Sequence, residues 1–240
     1  MKLHTIWLRR IHKWIGLLIG LQFVLWTVSG AMMALLDMET VAGGERGAAV
    51  PVPGFPADDR GWRLVRQQLG DSPISRLSLR PLIDRHVIEV GTPAGLRLFD
   101  AVSGRPIAVD AHLARKVAAA AYPGGARVRG VSALQEVTLA VRTHELPIWR
   151  VDFADGENSS FYVSGTTGQL LERRNDTWRI WDFFWMLHNM DYVNRTSFNH
   201  PLIVTLAFAA TWLAVTGIWL LFRTAWRPDI KAARRLVRPS

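Results

Sequence analysis

Residues 14–36, WIGLLIGLQFVLWTVSGAMMALL, carry no charge, and only Gln22, Thr27 and Ser29 interrupt the apolar run. As a helix rising about 1.5 Å per residue, this stretch is long enough to cross a hydrocarbon core of about 30 Å. Residues 202–222, LIVTLAFAATWLAVTGIWLLF, form a second uncharged run near the other end of the chain. Two such runs around a polar middle predict a membrane protein: two transmembrane α-helices, 14–36 and 201–222, flanking a water-soluble domain.

Charge orients the spans. The tail 1–13 carries Lys2, Arg9, Arg10 and Lys13 and no acid, a net of +4. The tail 223–240 carries six basic residues against Asp229, a net of +5, so the two tails account for the whole formal charge of +9. The middle is therefore neutral, and the basic balance does not describe a nucleic-acid face. Basic flanks belong in the cytoplasm, which puts both tails there and the middle outside. A cleaved signal peptide is disfavoured, because its apolar core would span only about 7–15 residues. Residues 29–34, SGAMMA, also lack an Ala-x-Ala site. With no cysteine, disulfides, thiolate zinc sites, iron–sulfur clusters and c-type haem attachment are excluded together. Metal chemistry is left to His, Met, Tyr and carboxylates.

Residues 37–56 are rich in Gly, Ala and Pro, with Pro51, Pro53 and Pro56, and read as a linker leaving the membrane. Asp58 can cap a helix through Leu69 that sets Trp62, Val65 and Leu69 on one face. A pattern then occurs twice. The strand VIEV at 87–90 meets a loop at 91–95, and LRLFD at 96–100 ends in Ser103-Gly104. Later, Trp149, Val151 and Phe153 alternate with polar residues, Asp155-Gly156 turns, and Phe161–Val163 runs to Thr167-Gly168. Period-two alternation around a Gly-containing turn predicts a hairpin. A second helix starting near Asp110, with Leu113, Val117 and Ala121 inward, precedes the second copy. Two helix–hairpin units, 57–110 and 111–173, are each small and are expected to share one core in an α+β domain.

The units carrying LFDAVSGRPI and FYVSGTTGQLL resemble PepSY domains, and the opening RRIHKWIGLLIGLQFVLWTVSGAM resembles the first helix of the PepSY-associated transmembrane family. The resemblance covers almost the whole chain. It implies a bacterial inner-membrane protein with a periplasmic domain, related to proteins of iron–siderophore reduction, some with b-type haem between their helices. The larger reductase-like members have four or more spans. A haem cavity needing four helices would here require a homodimer.

Several residues could hold such a group. His12 heads the first span, and Gly16 and Gly20 follow on the same helical face. That face reads either as a groove for a porphyrin ligated by His12 or as the small-residue seam of a helix dimer, and the two can coexist. Residues 178–193, WRIWDFFWMLHNMDYV, place Trp178, Trp181, Trp185, His188 and Tyr192 along one helical stripe. Charges at Arg179, Asp182 and Asp191 make residues 174–200 an interfacial aromatic helix and turn rather than a span. It reads either as an aromatic belt or as a wall presenting His188 to a haem. His200, just before Pro201, is a further candidate ligand. Neutral imidazole is an ordinary axial ligand of haem iron.

No Gly-rich nucleotide loop, nucleophile elbow or His-Glu-x-x-His motif occurs, so no NAD(P) or flavin fingerprint is present. Two functions follow. The first is a haem-binding electron conduit, supplied by a cytoplasmic reductase or quinol and reducing an oxidised periplasmic substrate such as a ferric siderophore. The second is a cofactor-free anchored module whose PepSY units bind a protease or another envelope protein through strand edges.

Overall fold

In the computed structural model, which describes residues 2–44, 54–55, 58–125, 127–193, 195, 197, 199 and 201–222, the first apolar run lies inside a longer helix, α1 (Lys2–Leu35). Nothing between Lys2 and Trp14 breaks a helix, so the basic tail continues it. Its 34 residues would extend about 51 Å, so the basic turns project beyond a hydrocarbon core. The helix ends before Asp37. That carboxylate accepts the Thr40 N–H at 2.8 Å and caps a short turn, α2 (Met38–Val41). The linker thus opens on a helical turn, and its Pro51 and Pro53 lie outside the described residues.

Contacts divide the chain into two bodies, residues 36–181 and the segments before and after them; the boundary falls within α5 (Asp176–Asn189), between Trp181 and Asp182. In the helical body, α1 packs against α6 (Pro201–Leu221). The inward residues of α1 recur three and four apart: His12, Ile15, Ile19, Gln22, Trp26, Ser29 and Met33. Those of α6 do the same through Ile203, Leu206, Ala210, Leu213 and Gly217. Such spacing gives a coiled-coil-like seam. The helices run antiparallel, because the start of α1 meets the end of α6. Both are long and apolar enough to span a membrane, and Leu17, Leu18, Leu21 and Phe208 on their outer faces are exposed. An apolar surface of that extent calls for lipid or another apolar helix to cover it.

The polar body holds one plan twice: a helix followed by a four-stranded antiparallel meander. The first copy is α3 (Arg60–Leu69) with β1 (Arg76–Leu82), β2 (Arg85–Thr92), β3 (Gly95–Asp100) and β4 (Pro106–Ile107). The second is α4 (Ala111–Ala121) with β5 (Val128–Ala133), β6 (Ile148–Phe153), β7 (Ser160–Ser164) and β8 (Leu170–Arg174). The hairpins expected from sequence are β2–β3 and β6–β7. Each sheet has two further strands, β1 and β4 in the first and β5 and β8 in the second. Of these, β1 and β5 lack a readable apolar face, since Leu77 and Leu79 are exposed and β5 carries a bulge around Gly130. The expected loop at 91–95 is also shorter, since Gly91 and Thr92 still pair with Leu96 and Gly95.

Asp110 caps α4 as expected, whereas the N-cap position of α3 falls on Asp59, whose side chain makes no cap bond, one residue after the expected Asp58. Asp58 accepts the Arg60 N–H at 3.0 Å and Asp110 the Leu113 N–H at 2.8 Å. Val65 and Leu69 of α3 pack with Ile88, Val90 and Phe99 on one face of the first sheet. The opposite face sends Val87 and Leu98 into a core with Ala114 and Val117 of α4 and with Val151, Phe153, Phe161 and Val163 of the second sheet. The two copies therefore share one core. Buried Glu89 lies on that same face. Arg80 and Arg76 neutralise it at 3.1 and 3.3 Å, and Arg80 also donates to the Thr167 carbonyl.

The Ser/Thr-Gly turns have matching geometry. Asp100 Oδ1 accepts from the Val102 and Ser103 N–H groups, and Ser164 Oγ accepts from those of Thr166 and Thr167. Each turn closes on a glycine with positive φ, Gly104 at 66° and Gly168 at 67°, where a side chain would be strained.

Candidate functional site

α5 begins where the Asn175 carboxamide caps it. Its oxygen accepts the Trp178 N–H and its nitrogen donates to the Thr40 carbonyl, both at 2.7 Å. Trp178 is buried with the Arg174 guanidinium 4.3 Å from its ring. The helix stops at Asn189, and Met190 takes a left-handed φ of 55°. The aromatic stripe expected to reach Tyr192 is therefore cut short. Tyr192 lies beyond the helix and is 49% exposed, because the αL residue redirects the chain. Trp181 and Trp185 are on α5 and half-buried. Asp182 is buried and paired with Arg195 at 2.8 Å, and Asp191 accepts the Ser197 N–H. His200 lies outside the described residues.

His188, in the last turn of α5, packs against the end of α1. Its Nδ1 is 3.2 Å from the Trp26 carbonyl oxygen and 3.2 Å from Ser29 Oγ. Gly30 leaves room for the ring: a Cβ there would lie 3.2 Å from His188 Cε1. His12, near the opposite end of α1, packs against the end of α6, with Nδ1 2.8 Å from Thr216 Oγ1. Gly217 plays the part of Gly30, since a Cβ on it would lie 3.3 Å from His12 Cε1. Among the described residues neither imidazole has a hydrogen-bond partner at Nε2. Two N–H groups on the inward stripe of α1, Gln22 Nε2 and Trp26 Nε1, are buried with no acceptor among the described residues. Polar hydrogens of that kind are costly at membrane depth.

The two glycines read from sequence separate. Gly16 faces Leu213 of α6 in the same chain, at 3.7 Å from a built Cβ, whereas Gly20 has open space around it. Trp26, Ser29, Gly30, Thr216 and Gly217 were not legible as site residues. Small and hydroxyl residues in a span pass for packing until a histidine is seen against them. Among the described residues no group of three or more His, Asp or Glu side chains is arranged to hold a metal ion.

The polar body offers a different feature. A cleft beside β1, the edge strand of the first sheet, is lined by Trp62, Leu77, Leu79, Ile88 and Ala101 together with Asp58 and Asp59. Buried Ser78 Oγ on its wall has no partner among the described residues.

A family model described as PepSY-associated TM region matches residues 9–239 of the chain. No curated protein and no solved structure matched it.

Proposed function

The chain belongs to the PepSY-associated TM region family, and on that premise we propose that it is an inner-membrane haem b protein that passes electrons to a periplasmic acceptor. The observation that carries this is the pair of imidazoles in the helical body. Each spends Nδ1 on a contact to another helix and leaves Nε2 without a partner among the described residues. That donor set fits an axial ligand. The unsatisfied N–H groups of Gln22 and Trp26, inward on α1 like Ser29, support a further occupant of this body.

His12 and His188 would hold haem iron, which supplies a one-electron couple whose potential depends on ligation and burial. They serve separate sites. From His12 to Trp26, against which His188 packs, is 14 residues of α1, about 21 Å along its axis. Metal–nitrogen bonds are about 2 Å, so one iron cannot take both. One imidazole thus lies toward each end of the helix pair, as a relay across a membrane requires. α6 contains no histidine, so at the His12 end a second ligand would come from His12 of a second copy in a homodimer, from His4 or from a side chain other than histidine. Electrons would come from a cytoplasmic reductase or quinol. Ferric siderophore is the acceptor class suggested by the family resemblance.

The visible spectrum of protein purified in mild detergent from haem-replete cells tests this. A Soret band with sharp reduced α and β bands is expected, and His12→Ala and His188→Ala should each remove part of it. A colourless wild type would favour the second reading, an anchored binding module. The support for that module is the apolar cleft beside the unpaired edge of β1, a surface suited to an added strand. Full haem in both variants would refute the ligand assignment.

A further inference from the structure

The two imidazoles are seated by one short sequence used twice. Residues 26–30 read WTVSG and residues 212–217 read WLAVTG. Each has valine, a hydroxyl residue and glycine in succession, with a tryptophan about one turn before. The hydroxyl meets Nδ1: Ser29 for His188 at 3.2 Å, Thr216 for His12 at 2.8 Å. The glycine lies against Cε1, 3.2 Å from a built Cβ at Gly30 and 3.3 Å at Gly217. The tryptophan ring centres lie 6.5 and 6.4 Å from the imidazoles, tilted by 45° and 42°. In both cases the histidine comes from a different helix than the cradle. One cradle ends α1, the other ends α6.

The hydroxyl and carbonyl partners of each Nδ1 bear on which ring nitrogen carries the proton. Thr216 has a single hydroxyl hydrogen, and its Oγ1 lies 2.8 Å from the Trp212 carbonyl and 3.1 Å from that of Leu213; with the hydrogen on either carbonyl, the oxygen meets Nδ1 as an acceptor. In that arrangement neutral His12 bears its proton on Nδ1 and a lone pair on Nε2. The Ser29 hydroxyl is directed to the Leu25 carbonyl at 2.6 Å, and the Trp26 carbonyl beside His188 Nδ1 can only accept. His188 takes the same tautomer.

We propose that Ser29–Gly30 and Thr216–Gly217 are positioning pairs: the hydroxyl holds Nδ1–H, the glycine clears the ring edge, and Nε2 becomes the ligand atom of each histidine. The proposal rests on the reading of His12 and His188 as haem ligands. Outer partners of this kind set ring orientation and ligand basicity, and their loss costs about 10–100-fold in metal affinity.

The test uses the full chain with 15N-labelled histidine in lipid nanodiscs, first without haem and then titrated with haemin. Signals are assigned with His12→Gln and His188→Gln. In the wild type both rings should show protonated Nδ1 and unprotonated Nε2. Thr216→Val should turn His12 into a mixture of tautomers, leave His188 unchanged and weaken haemin binding about 10–100-fold, and Thr216→Ser should restore both. Ser29→Ala should have the smaller effect, because the Trp26 carbonyl remains. Gly217→Ala should weaken haemin binding while the hydroxyl bond persists, which keeps a measurement available should Thr216→Val fail to fold. Protonated Nε2 in the wild type would overturn the proposal, as would unchanged tautomers and affinity in Thr216→Val. Protonated Nδ1 without haemin binding by the wild type would instead overturn the haem reading and leave the tautomer assignment standing.

Discussion

Glycine has opposite consequences at different positions of this chain. Gly61, in α3, would drive a Cβ to 1.8 Å from the Ala101 carbonyl oxygen, a backbone atom that cannot step aside. Gly61→Ala should therefore destabilise the polar body by about 3 kcal/mol, read as a lowered unfolding midpoint in denaturant. Gly20, in the middle of α1, meets nothing within 4 Å of a built Cβ. Gly20→Leu should leave the fold of a single chain unchanged and impair only what packs on that face from outside. It is a cleaner probe of a dimer seam than Gly16→Leu, whose side chain would strike Leu213 of the same chain. Lower mass in detergent for Gly20→Leu would support a seam there; unchanged assembly would remove Gly20 from it. The sequence showed both glycines on one face of α1. Only the packing showed that one is occupied from within the chain.

The elements of the polar body carry their own pH dependence. Tyr122, just after α4, stacks on Phe153 at 4.3 Å and donates to Asp155 at 2.7 Å. Burial, and then the Asp155 carboxylate, push the phenol up to about 12. Burial alone would raise the Asp155 carboxyl, but hydrogen bonds from Ser159 and Tyr122 outweigh it and hold the carboxyl below its usual range. The signs follow by linkage. The raised phenol contributes stability that is complete below pH about 10 and lost as pH climbs toward about 12. The depressed carboxylate contributes stability present above its unfolded pKa and lost as acid carries the pH through the lower folded value. Tyr122→Phe should flatten the alkaline limb of a thermal-stability profile and cost about 1.5–3 kcal/mol at neutral pH. An alkaline limb unchanged from the wild type would assign it to other groups. At this scale α3, α4 and the central hairpins were legible, because periods of 3.6 and 2 mark a face buried on one side. β1 and β5 were not, since an edge strand with exposed leucines and a bulged strand have no such period. Nor was the end of α5, because an αL residue that is not glycine, Met190, leaves no mark in the sequence.

For the whole molecule, basic tails on two apolar helices predict that both ends share a compartment opposite the polar body. Reporter fusions in the β2–β3 turn at Ala94 and at Ser240 should give opposite signals; the same signal from both would overturn this orientation and with it the direction of any electron relay. What the sequence by itself determined is what depends on composition and local period: two spans, the charge asymmetry across them, the duplicated α+β plan, and a family signature running nearly end to end. These are properties of contiguous segments, written in order along the chain. Tertiary structure alone decided which residues meet. His12 and Thr216 are 204 residues apart, and Ser29 and His188 are 159 apart. No local period records such pairs, because the partners belong to helices whose register is set by packing. The same holds for the orphaned N–H groups of Gln22 and Trp26 and for the shared core of the two sheets. A hydrogen bond that orients an imidazole depends on the approach of two backbones, and that approach exists only once the helices have packed.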